Sequence, residues 1–225
     1  MGGKFIVLEG IDGAGTTTQA RRLQERKGWG SPVYLEAEPS HGPVGQLIRK
    51  YLGKEMEPIS PKAMELLFRA DRLDHSINII QPALEWNMHV ICDRYYASTL
   101  AYQSAVYWQA HHAEAGYLGS TQHMMAKIMW DLHCDMSGKE EGQMLAEPDV
   151  TLLLGIDPSI ATARVKARSE KKEIYDELEL QKWIAKFYKI WLEDDRYTGD
   201  KRWISADQRI EVVTDLCWEV VRNIL

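Results

Sequence analysis

Along the chain, short apolar runs rich in valine, isoleucine and leucine alternate with longer segments whose apolar positions recur every three or four residues. The short runs predict strands at Phe5 to Leu8, Val33 to Leu35, His89 to Cys92, Val150 to Ile156 and Arg202 to Ile204. Most are continuous rather than alternating, the pattern of strands covered on both faces. The longer segments predict helices at about Thr17 to Arg26, Val44 to Leu52, Pro61 to Leu84 with a break, Ala97 to His111, Thr121 to Leu132, Ser159 to Arg168, Tyr175 to Leu192 and Arg209 to Leu225. The penultimate helix carries the clearest stripe, formed by Leu180, Trp183, Ile184, Phe187, Ile190 and Trp191, so its tryptophans read as packing residues. Strands and helices alternating in this way feed a parallel sheet, and the fold class expected is α/β.

With 225 residues, 45% of them hydrophobic, the chain suffices for one substantial core, and a single domain over 1–225 is expected. A formal net charge of -6 argues against a partner such as nucleic acid, which requires a basic face; local basic clusters can still hold a small phosphate ligand. Cys92, Cys134 and Cys217 are widely spaced and form no C-x-x-C pair, which suggests neither a disulfide framework nor a zinc knuckle and fits a cytoplasmic location. No apolar stretch approaches the roughly 18 residues of a membrane span. The polar stretch from Ser137 to Gln143 reads as a surface loop.

Chemistry enters directly after the first strand. Gly10-Ile11-Asp12-Gly13-Ala14-Gly15-Thr16-Thr17-Thr18 matches G-x-x-x-x-G-K-[ST] at every fixed position except the lysine, which is Thr16. In such a turn the backbone N–H groups of residues 13 to 18 curl around phosphate oxygens, and the helix that follows presents its N-terminus to the same charge. Thr17 would offer a hydroxyl to magnesium. Threonine at position 16 removes a cation from the phosphates, so another cation must substitute or turnover must be weak.

The third strand runs into Asp93-Arg94-Tyr95-Tyr96-Ala97-Ser98-Thr99-Leu100-Ala101-Tyr102-Gln103, with a carboxylate and a guanidinium where open α/β sheets bind ligands. FIVLEGIDGAGTTTQ, EPSHGPVGQLIRKYL, LLFRADRLDHSINIIQPAL, DRYYASTLAYQ, PDVTLLLGIDP and ATARVKARSEKKEIYDE follow one another in the order and spacing of the thymidylate kinase family, which this chain resembles over most of its length, about 104 to 147 excepted. The resemblance implies a three-layer P-loop kinase fold with a mostly parallel five-stranded sheet, a lid at about 164–176, and a homodimer. It implies transfer of the γ-phosphoryl of ATP to dTMP with magnesium. Asp12 would contact the acceptor sugar and help organise the phosphates, and Asp93 would join Thr17 around the metal. Arg94 would bridge acceptor and donor phosphates, and Arg49 would hold the acceptor phosphate; the guanidinium fork suits both. Phe68 and Arg72, four apart on one helix face, would stack on and hydrogen-bond to thymine. Tyr102 would pack beneath the deoxyribose, and Thr99 would touch the base edge.

The basic run Arg164, Lys166, Arg168, Lys171 and Lys172 falls where the family places its lid, with Arg164 on the donor nucleotide and Arg168 near adenine and phosphates. Family members carry a catalytic arginine in the loop or in the lid. The loop position here is Gly13, so the resemblance assigns that cation to Arg168, Lys171 or Lys172. Ala37 stands where many members have an arginine before the Glu-Pro pair. The atypical stretch 104–147 holds His111, His112, His123, His133 and Cys134 in no recognised zinc spacing, and reads as an extra helical element on the surface or at a subunit interface. Two other functions remain open: a deoxynucleoside kinase with Glu36 or Glu38 as base, and a nucleotide-binding protein with little turnover.

Overall fold

The computed structural model describes residues 2–112, 127, 145–168, 174–197 and 199–225. The strands are β1 (Phe5–Gly10), β2 (Val33–Ala37), β3 (His89–Asp93), β4 (Val150–Gly155) and β5 (Lys201–Ser205). They form one sheet in the order β2-β3-β1-β4-β5, and every neighbouring pair is parallel. The three central strands are buried at every position, as their unbroken apolar runs require, whereas the edge strands β2 and β5 are partly exposed.

The helices are α1 (Thr16–Gln24), α2 (Pro43–Leu52), α3 (Pro61–His75), α4 (Gln81–Glu85), α5 (Tyr96–His112), α6 (Pro158–Arg168), α7 (Leu178–Glu193) and α8 (Ile210–Arg222). The break expected between Pro61 and Leu84 is a widened π turn over Ser76–Ile80. Pro82 lies just beyond it; a proline lacks the N–H of a regular helix and crowds the carbonyl four residues back, and a wider turn relieves that clash. Several expected boundaries are corrected: α1 ends at Gln24 rather than Arg26, and α8 at Arg222 rather than Leu225. Residues 175–177 precede α7, because Glu177 is extended (φ -72°, ψ 129°) at its N-cap, and β4 ends at Gly155 rather than Ile156. The helix expected from Thr121 to Leu132, the 137–143 loop, the side chains of His111 and His112, and His123, His133, Cys134, Lys171 and Lys172 lie outside the described residues.

Alternation along the strands divides the core. Ile6, Leu8 and Ile91 join the cluster containing Leu23 of α1 and Cys217 and Val221 of α8, while Phe5, Val7, Val90 and Cys92 point to the other face and meet Ile80 and Ala83. Of the expected α7 stripe, Leu180, Ile184, Phe187, Ile190 and Trp191 are buried, and Trp183 packs from the edge against Trp108. Cys92 and Cys217 are buried free thiols. The carboxyl ends of β1, β2, β3 and β4 all open on the same side, with β1 between β3 and β4, so the crevice after β1 is the switch point where such sheets bind ligands.

Candidate active site

β1 ends at Gly10, and the chain turns through Gly13 (φ 87°) and Gly15 (φ 100°) before α1 begins. Gly15 is the N-cap and offers no side chain to the first turn, which leaves the N–H groups of that turn to an anion. A Cβ on Gly13 would lie 2.3 Å from the Ala161 carbonyl oxygen of α6, so this position excludes any side chain. Gly10 acts through its backbone: a Cβ there would meet Ala14 Cβ and the Leu154 carbonyl oxygen at 3.0 Å. Thr16, in place of the lysine, is buried, while Thr17 and Thr18 are exposed at the start of the helix.

At the centre of the site Arg94 holds Asp12. Arg94 sits in the left-handed region (φ 76°), a conformation that costs a non-glycine residue on the order of 1 kcal/mol or more and persists at functional sites where the surroundings enforce it. Its N–H donates to the Leu8 carbonyl (2.8 Å), Nη1 to the Gly10 carbonyl (2.7 Å) and Ser98 Oγ (3.1 Å), and Nη2 to Asp12 Oδ1 (2.7 Å). Burial alone would lower the Arg94 pKa, but Tyr102, Asp12 and Tyr188 raise it well above the ordinary value and keep it a cation. The Tyr102 hydroxyl donates to Asp12 Oδ1 (2.9 Å) and its ring lies 5.2 Å from the Arg94 guanidinium. Burial pushes the hydroxyls of Tyr102 and Tyr188 up, so both stay protonated donors.

Glu9 underpins this arrangement. It is fully buried, and Oε1 accepts the N–H groups of Tyr95 (2.9 Å) and Ser98 (3.1 Å) at the start of α5, while Oε2 accepts the Tyr188 hydroxyl (2.9 Å). Burial raises its pKa, partly offset by Ser98 and Arg94. Gln181 of α7 completes the cage on Asp12: Nε2 donates to Asp12 Oδ2 (2.8 Å) and to the Tyr175 carbonyl (2.9 Å), and Oε1 accepts the Asp12 N–H (3.3 Å). Sequence reasoning missed Glu9 and Gln181. A signal existed for Glu9, an acid in an unbroken apolar run; Gln181 looks like any polar residue beside the α7 stripe.

On the other side, Phe68 and Arg72 share one face of α3. Arg72 is only 2% exposed; Nε donates to Glu38 Oε2 (2.9 Å) and Nη2 to Thr99 Oγ1 (2.7 Å) and the Tyr95 carbonyl (3.3 Å). The loop after β2 is pinned by Asp71, which accepts the Ser40 N–H (2.7 Å) and hydroxyl (2.5 Å). Arg49 reaches back to donate to the Pro39 carbonyl.

The Thr17 hydroxyl donates to Asp93 Oδ2, and Asp93 Oδ1 is buried without a hydrogen-bond partner. A buried carboxylate oxygen left unpaired is costly unless a cation meets it, so this hydroxyl–carboxylate pair fits a hard divalent ion that takes oxygen ligands.

Asp12, Arg94, Tyr102, Phe68, Arg72, Arg49, Thr17 and Asp93 all face one cavity of about 700 Å³, with Glu9, Gln181 and Asp71 supporting them from behind its wall. Asp12, Gly13, Ala14, Gly15, Thr16, Thr17 and Thr18 line its floor, Arg49, Phe68, Arg72, Asp93, Arg94, Thr99 and Tyr102 one end, and Arg164 and Arg168 of α6 the other. Among the described residues expected to bind the nucleotides, Gly10 is not part of the wall. Ala206, Gln208, Ile210 and Val213, from the segment leading out of β5 into α8, complete the α6 end and carried no signal in the sequence.

The family model of thymidylate kinase matches residues 8–112. A thymidylate kinase of Cutibacterium acnes is 36% identical over 192 residues, covering 80% of this chain and 79% of that one. The thymidylate kinase of Carboxydothermus hydrogenoformans is 35% identical over 230 residues, covering 98% and 96%. The solved structure of a thymidylate kinase from Candida albicans superposes with a TM-score of 0.77 at 28% identity, covering 99% of this chain and 92% of that one. With relatives more than 30% identical covered over most of their length, the chain belongs to the thymidylate kinase family.

Proposed function

We propose that this protein phosphorylates dTMP with ATP, giving dTDP and ADP. The observation that carries this reading is the continuity of one cavity from the uncapped α1 N-terminus, past the Asp12–Arg94–Tyr102 cluster, to Phe68 and Arg72. A phosphate oxygen of the acceptor attacks the γ-phosphorus of ATP in line, the bond to the β–γ bridging oxygen breaks, and ADP leaves. Catalysis is then mostly positioning and charge stabilisation.

In this reading residues 10 to 18 cradle the donor phosphates, and Arg164 packs beside the donor nucleotide. Arg94 bridges the two phosphates, Asp12 orients the acceptor sugar and Arg94 together, and Arg49 receives the acceptor phosphate. Phe68 stacks on the base, Arg72 and Thr99 read its edge, and Tyr102 fills the space beneath the deoxyribose. Magnesium, held by Thr17 and Asp93, would neutralise phosphate charge in the transition state. Arg168 supplies the cation that Thr16 lacks. The domain is one unit with a lid at about 164–176 and an added segment at about 104–147, acting as a homodimer in the cytoplasm.

Glu36 and Glu38, the candidate bases of a nucleoside kinase, are occupied by His75 and Arg72, which speaks against a bare nucleoside as acceptor. A coupled ADP-release assay with dTMP, dUMP, dCMP and thymidine tests the proposal. Turnover should be greatest with dTMP and absent with thymidine; turnover with thymidine but not dTMP, or binding without turnover, would overturn it.

A further inference from the structure

His75 lies one turn beyond Arg72 on α3, and its side chain is 1% exposed. Each of its ring nitrogens faces a carboxylate of β2 or the residue just past it: Nε2 is 3.1 Å from Glu36 Oε2 and Nδ1 is 3.3 Å from Glu38 Oε1. An ionised carboxylate only accepts hydrogen bonds, so both nitrogens must carry protons for the two contacts to be made at once. Glu38 in turn gives its other oxygen to Arg72 Nε. The order His75, Glu38, Arg72 leads straight to the wall of the acceptor end of the cavity, yet neither His75 nor Glu36 lines it.

We infer that His75 is a positioning residue for acceptor recognition: as an imidazolium clamped between Glu36 and Glu38, it fixes the carboxylate that aims the Arg72 guanidinium at the bound base. This inference rests on the acceptor site proposed above. Two acids then face two cations, a balance that a buried cluster needs, because an uncompensated charge there is strongly destabilising. Besides Asp93, whose carboxylate is turned to Thr17, the titratable groups around the cluster are Cys92 of β3, Tyr95 after it and Tyr34 beyond Glu36. Burial foremost raises the first two, and the Glu36 charge foremost raises Tyr34, so all three stay neutral and leave the balance to the four charged residues. The geometry is matched by the His75 pKa: burial pulls it down, but the bonds to Glu36 and Glu38 carry it up to about 9.

Calorimetric titration of dTMP and, separately, ATP into wild type, His75→Gln and the double variant Glu36→Gln/His75→Gln tests the inference, together with NMR titration of the wild-type imidazole. His75→Gln should weaken dTMP binding about tenfold and leave ATP binding unchanged. The double variant, which removes one negative charge along with the positive one, should recover most of the loss. The wild-type imidazole should remain protonated well above pH 7. An imidazole that titrates near 6.5, a folded His75→Gln protein that binds dTMP as wild type does, or equal losses for dTMP and ATP would overturn it. Turnover is read separately: a wild-type protein that binds dTMP without phosphorylating it counts against the proposed activity and leaves this test intact.

Discussion

Thr16 stands where this class of phosphate loop carries an ammonium group, and on the cavity floor it offers a buried hydroxyl in place of that charge. Arg168→Ala should therefore lower kcat with dTMP by about 10² to 10³, the cost of one well-placed transition-state donor. Thr16→Lys placed in the Arg168→Ala protein should restore part of that loss in the same steady-state assay. Unchanged turnover in both Arg168→Ala and a Lys171→Ala/Lys172→Ala protein would sink the idea. His75 yields a second prediction. Its folded-state pKa of about 9 lies above the ordinary value of 6.5, so its contribution to stability is complete below about pH 6.5 and fades as the pH rises through about 9. Urea unfolding should find wild type more stable than His75→Gln by on the order of 3 kcal/mol at pH 6, with the gap closing by pH 9.5. Residues of this site were legible in the sequence where neighbours along the chain act together, as Asp93 and Arg94 do. They were illegible where partners are far apart: Gln181 and Asp12 are 169 residues distant, and only folding brings them within 2.8 Å.

Among the elements, α7 does most to brace the centre of the site, because one face presents Gln181 and Tyr188 to Asp12 and Glu9 while its stripe packs into the core. Trp191 anchors that stripe, fully buried and edge-on to Tyr96 at 6.2 Å. Trp191→Ala should cost about 3–5 kcal/mol in urea unfolding, and the residual folded protein should lose dTMP turnover through the displaced Gln181. The α7 stripe was readable because one side is wet and periodicity shows. The same logic explains the strands, whose unbroken runs marked the buried centre of the sheet, and explains why β2 was placed short: Glu36 breaks its apolar run one residue before its end at Ala37. The break before Pro82 was readable, but its π geometry was not, since it reflects how the chain absorbs a missing N–H.

For the whole molecule, parallel pairing followed from the alternation of strands and helices, whereas the order β2-β3-β1-β4-β5 did not, because each crossover can pass to either side of the strand it leaves. α3 exposes Leu66 (50%) and Leu73 (42%), seven residues apart on one side of the helix. An apolar pair so placed suits burial against a second copy. Light scattering should find wild type at twice the chain mass and Leu66→Glu/Leu73→Glu shifted to the monomer; a dimer unaffected by both charges would remove this face from consideration.

The contact between Gly13 and the Ala161 carbonyl also bears on how such a protein can change over time. An arginine introduced at position 13 has no volume to occupy, since its first carbon already overlaps the backbone of α6, and the positive φ opposes it as well. If the lid supplies the catalytic cation as proposed, moving it from lid to loop is therefore closed to this chain as a one-substitution path. It would require the root of α6 to retreat first, a change with no benefit until the arginine arrives, so on that proposal a valley separates the two workable designs.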